Sequence, residues 1–82
     1  MNVSDGYKLV SYHAAERFVE RVLKHDPSLL SKGNRGKKVR EEIFLQIKMY
    51  VGLSGKFKVP LPDYQGFIAL IEDGRVITIM EK

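Results

Sequence analysis

The chain has 82 residues, 44% of them apolar and 29% charged, with no cysteine and a formal net charge of +4. That length makes one domain, near the lower limit for folding on a hydrophobic core alone, and without cysteine neither a disulfide nor a thiolate metal site braces it. The composition excludes wholesale disorder, no apolar run approaches membrane-spanning length, and the first six residues lack the basic and apolar regions of a secretory signal. The expectation is therefore a soluble cytoplasmic protein, a single α+β domain over residues 1–82, whose positive balance suits a polyanionic partner.

Residues 7–12, Tyr-Lys-Leu-Val-Ser-Tyr, alternate in the manner of a short first strand. A helix is predicted to follow from Tyr12 to His25, with Ser11 as its N-cap. Ala15, Phe18, Val19, Val22 and Leu23 form its apolar arc, and Asp26-Pro27 ends it because proline disfavours helical backbone in the residue before it. Residues 28–36, with glycines at 33 and 36, read as a loop. A second helix is expected over residues 37–51, with Val39, Ile43, Phe44, Ile47, Tyr50 and Val51 at helical spacing and Gly52 to stop it.

The period then changes from helix to strand. Residues 56–60 alternate until Pro60-Leu61-Pro62-Asp63 interrupts them, and two runs, 66–72 and 75–81, flank Asp73-Gly74, a strong hairpin signal. The predicted architecture is βααβββ: a short strand, two helices and a three-stranded antiparallel meander. A regular hairpin pairs Glu72 with Arg75, Ile71 with Val76, Leu70 with Ile77, and so on to Phe67 with Met80. Ile68, Leu70, Ile77 and Ile79 then share one face, and Phe67, Ala69, Ile71, Val76, Thr78 and Met80 the other. Both faces are largely apolar, while two helices on one side cover only one. Either the loop at 60–66 and the N-terminal arm fold over the remaining face, or that face, with Phe67, Ile71, Val76 and Met80, meets another protein or a second copy.

His13, Arg17 and Arg21 recur every fourth residue and fall on one stripe of the first helix. An imidazole that titrates near neutrality is a general acid or base, and guanidinium forks match phosphate oxygens, so the stripe is a minimal kit for phosphodiester chemistry. Glu16 and Glu20 stand at a spacing that would neutralise both arginines, which makes an ordinary solvated helix face the competing reading. His25 reads as a C-terminal cap or packing residue. The two histidines are twelve positions apart, which is not a metal-ligand spacing, so neither metal nor cofactor is expected.

A second constellation runs from Lys32 to Arg40: Lys32, Arg35, Lys37, Lys38 and Arg40 with no acid among them and two glycines between. Such a segment can grip a phosphate backbone without reading sequence, and it leads into a helix N-terminus, itself a source of positive potential; an ordinary solvated loop is the competing reading. Lys56 and Lys58 share one strand face and are expected to extend the patch. Tyr12 and Tyr64 are candidates to stack on a base, with packing the competing role.

This order of elements, together with Ser11-Tyr12-His13-Ala14-Ala15-Glu16-Arg17 near the start and Asp73-Gly74-Arg75-Val76-Ile77-Thr78 near the end, resembles the RelE-like and colicin-type small ribonuclease toxins. The resemblance implies metal-independent RNA cleavage with His13 and Arg17 in the active site and Thr78 in support. It also implies a toxin–antitoxin or mobile-element setting, with RNA as substrate and an antitoxin or host protein as partner. The alternative is a non-catalytic phage or mobile-element module that contacts a host protein through an apolar sheet face. A homodimer joined through that face is a third reading.

Overall fold

The computed structural model describes residues 6–50 and 53–82. Ser11 starts the first helix as expected: its Oγ accepts a hydrogen bond from the Ala14 N–H at 3.0 Å, satisfying one of the amides a helix start leaves unpaired. The α-helical part, α1, is short (Tyr12–Arg17) and widens directly into a π-helical turn (Phe18–Val22). The element closes earlier than its proline predicts. Lys24 adopts a left-handed backbone (φ 56°), and the His25 N–H returns to the Val19 carbonyl at 3.0 Å. Asp26 serves instead as the N-cap of a 3-10 turn (Pro27–Ser31), accepting from the Ser28 N–H at 2.9 Å. That bond and the Ser28 hydroxyl hold the Asp26 carboxyl below its ordinary pKa.

The segment read as a loop is thus largely structured, and the second helix, α2 (Arg35–Ile47), begins two residues earlier than expected. It ends at Ile47 with Lys48 as its C-cap, before the expected end at Val51; Val51 and the expected stop at Gly52 themselves lie outside the described residues. Ile43, Phe44 and Ile47 form its buried stripe. The strands are β1 (Lys56–Pro60), β2 (Phe67–Glu72) and β3 (Arg75–Glu81), paired antiparallel in the order β1-β2-β3. The helices-then-meander α+β architecture is as predicted. Only the first strand is pared down: residues 7–9 form a 3-10 turn, and Val10 alone bridges β3, parallel to Val76. The Ser11 N–H donates to the Val76 carbonyl (3.0 Å) and its hydroxyl to the Ile77 carbonyl (2.9 Å), so one bridge and two bonds do the work of a strand along that edge.

Asp73 and Gly74 both have positive φ (50° and 84°), the backbone that a two-residue hairpin turn of matching twist requires. Glu72 pairs with Arg75 and Ile71 with Val76, as the regular hairpin predicts. A bulge then intervenes, and Leu70 pairs with Thr78, Ala69 with Ile79, Ile68 with Met80 and Phe67 with Glu81. Ile77 is the extra residue. The shift turns Ile79 into the core in place of Thr78, which buries a full isoleucine side chain, worth about 1.5–3 kcal/mol, where a threonine hydroxyl would have needed a partner.

The core lies between the helices and one sheet face. Val10, Ala14, Phe18, Ile43, Phe44 and Ile47 meet Val59, Ala69, Ile71, Val76 and Ile79 there, with Phe57, Phe67 and Tyr64 packed against them. Ala15, Val19 and Leu30 make a smaller cluster on the other flank of α1. This corrects the expected contact surface. Ile71 and Val76 are fully buried and Phe67 packs beside them, so of the four residues assigned to the uncovered face only Met80 remains on it, together with Pro60, Ile68, Leu70 and Thr78. The loop after β1 turns toward the helices as well. Tyr64 stacks edge-on against Phe18 (centroids 5.0 Å apart) and donates its hydroxyl to Glu42, while Gln46 holds Asp63.

Candidate nucleic-acid interface

α1 lies along the outer edge of β3. Ser11 at its start binds the Ile77 carbonyl, and Arg21, beyond its end, donates from a guanidinium nitrogen to the Ile79 carbonyl at 3.0 Å. These two bonds bracket Thr78, so the His13, Arg17, Arg21 stripe runs beside that residue's strand. The stripe is not a row of free cations. Arg21 caps a strand edge, and Arg17 is paired with Glu20 at 2.8 Å, as the acidic neighbours in the sequence foretold for it. His13 is exposed and has no hydrogen-bond partner among the described residues, and no bond joins it to Arg17 or Thr78.

The basic segment is built differently. α2 starts without a side-chain cap from Asn34 and without an acid in its first turn, so the positive end of its dipole is uncompensated by the protein. Around it Lys32, Arg35, Lys37 and Lys38 are all exposed. Arg40 is the exception among the five predicted there: its Nε donates to the Val10 carbonyl at 2.8 Å and its guanidinium lies 5.1 Å from the centre of the Tyr7 ring, tying α2 to the start of α1. The Lys37 ammonium sits over the same ring at 5.3 Å.

The first turns of the two helices meet. Gly36 is buried, and a Cβ there would stand 3.8 Å from the Tyr12 ring, so this exposed tyrosine borders the basic helix start. His13 follows Tyr12 in the chain, and its stripe continues through Arg17 to Arg21 along β3. Lys56 and Lys58 do not extend the patch. Their pairing with Glu72 and Leu70 puts them on the sheet face opposite the core and hence opposite the helices. Tyr64 is committed to packing, and His25 closes the π-helical turn after α1 through its backbone N–H.

Tyr7 is the participant that sequence reading placed in a strand and did not single out. Lys37 and Arg40, three apart on a helix, signal a shared face, but nothing local says that a tyrosine thirty residues earlier lies under it. Among the described residues no three His, Cys, Asp or Glu side chains gather as a metal site, and no helix is long and apolar enough to cross a membrane. Comparison with protein-family models, with curated proteins and with solved structures finds no match to this chain.

Proposed function

We propose that this domain binds RNA at the corner where α1 and α2 begin. Lys32, Arg35, Lys37 and Lys38 hold the phosphate backbone and Tyr12 offers a ring to a base. The observation that carries the reading is the uncapped start of α2, surrounded by four exposed cations with no acid in its first turn and bordered by an exposed tyrosine. A merely structural helix start gains nothing from basic side chains at the positive end of its dipole, whereas a phosphate site gains from both. The direct test is the salt dependence of RNA affinity: a clear negative slope of log affinity against log salt supports the reading, and a flat one overturns it.

Cleavage, the activity implied by the resemblance to RelE-like toxins, has the exposed His13 as its candidate acid or base. In this geometry Arg17 would first have to leave Glu20, and Arg21 its carbonyl, before either met a phosphorane. Binding is accordingly the better supported half of the proposal, and a metal-independent endoribonuclease of a toxin–antitoxin or mobile-element system its extension. His13→Ala should abolish RNA cleavage and leave the folded spectrum intact; undiminished cleavage would take His13 out of the mechanism.

A second reading is favoured by the open sheet face, where Pro60, Ile68, Leu70 and Met80 stand opposite the core. A host protein, an antitoxin or a second copy would dock there. This reading expects no turnover, and it expects Leu70→Lys to weaken partner capture without loss of fold.

A further inference from the structure

A groove of about 350 Å³ opens between the π-helical turn that follows α1, the Pro27–Ser31 3-10 turn and the first turns of α2. Two backbone features shape it. The left-handed Lys24 brings the chain back past Val19, and Gly36 lets α2 close on the 3-10 turn, where a Cβ would press to 3.1 Å from the Leu30 carbonyl. Val19, Leu23, Leu30 and Val39 give it apolar walls. Its polar lining is His25, Arg35 and Lys38, without an acid. Asp26, next to His25, is not part of that lining, and its carboxylate accepts from the Ser28 N–H. Leu23 is 40% exposed at this groove, a large apolar side chain left in water.

We infer that this groove receives one unstacked base of single-stranded RNA, with the flanking phosphates on Arg35 and Lys38. The inference rests on the RNA-binding reading and narrows it to single strands. A base is an apolar plate tied to an anionic backbone. Here an apolar slot large enough for one opens between two cations that also belong to the phosphate corner. A duplex satisfies the corner's charge but keeps its bases paired and cannot enter.

The test compares a single-stranded 12-nucleotide oligouridylate with an abasic strand of equal length and charge, binding to the full chain at several salt concentrations. The base-bearing strand should bind about tenfold more tightly, the gain from burying the faces of one base against aliphatic walls, with the same salt slope. Leu23→Asn, neutral and at an exposed position, should cut that difference several-fold and keep the slope, leaving only what stacking on Tyr12 contributes; His25→Ala is the second variant, expected to reduce the difference. Equal affinity of the two strands with a clear salt slope overturns the base site and leaves the RNA-binding reading standing. Absence of any salt-dependent binding removes both. A preference that survives undiminished in folded Leu23→Asn and His25→Ala places the base elsewhere and overturns the proposal. Decanoate binding that Leu23→Asn abolishes, with no discrimination between the strands, assigns the groove to a small amphipathic anion and also overturns the proposal.

Discussion

Arg17 and Arg21 are four residues apart on the same stripe, and their surroundings give them opposite roles. Arg17 meets Glu20 in water, an ion pair of the kind worth at most about 1 kcal/mol, whereas Arg21 reaches a carbonyl on the edge of β3 in a partly buried position. Arg21→Gln should cost about 1.5–2 kcal/mol in denaturant unfolding and Arg17→Gln no more than about 0.5. Equal losses would remove the structural role given to Arg21. Tyr64 makes a second prediction at this scale. Its removal from water first, then its hydrogen bond to Glu42 and the charges of Glu42 and Asp63, raise its pKa above the ordinary 10.0. The folded chain therefore keeps a proton that the unfolded chain has already lost. The associated stability is complete below pH 10.0 and is lost as pH rises through the folded value. Tyr64→Phe should flatten the alkaline fall in stability, and an unchanged slope would assign that fall to other groups.

The hairpin shows how one added residue in an element reassigns two faces. Up to the bulge, pairing follows the Asp73-Gly74 turn as a regular ladder; beyond it Thr78 and Met80 move outward and Ile79 inward. Leu70 and Ile71 are adjacent in β2 but belong to opposite faces, half-buried and fully buried. Ile71→Lys would bury an unpaired ammonium and should unfold the domain, a loss of at least about 3 kcal/mol. Leu70→Lys should leave a cooperative transition within about 1 kcal/mol of the parent. A folded Ile71→Lys variant would contradict the assignment of faces. The sheet edges are managed with equal economy: the Val10–Ser11 segment and Arg21 occupy carbonyls on the β3 side, while β1 ends in Pro60 and carries Lys56 and Lys58.

Across the whole molecule, positive charge is divided between two sides of a body 19 Å thick. The corner at the start of α2 lies on the helical side and Lys56 and Lys58 on the other. If the corner holds RNA, charge removal should not be equivalent on the two sides. Lys37→Gln with Lys38→Gln should flatten the salt slope by about 0.7 per lost contact with a single strand, and Lys56→Gln with Lys58→Gln should leave it unchanged. Identical effects of the two pairs would mean that net charge, rather than this corner, attracts the polyanion. For the same reason a partner on the open sheet face and RNA at the corner do not compete for side chains. Leu70→Lys and Lys38→Gln should then impair different binding events.

The α+β order, the Ser11 cap, the helical stripes and the Asp73-Gly74 turn were legible in the sequence because each depends on side chains within a few positions of one another. Tertiary structure alone decided which sheet face is core, because a bulge shifts residue parity beyond it without a local signature as strong as the turn itself. It decided the fate of the cations for a similar reason. Arg21, Arg40 and Lys37 find their partners at Ile79, Val10 and Tyr7, up to 58 residues away along the chain, and only packing selects such pairs. The composition already carried the basic balance; the fold determined that four of those charges stand exposed around a helix start, Lys37 among them over the Tyr7 ring, while Arg21 and Arg40 close the structure.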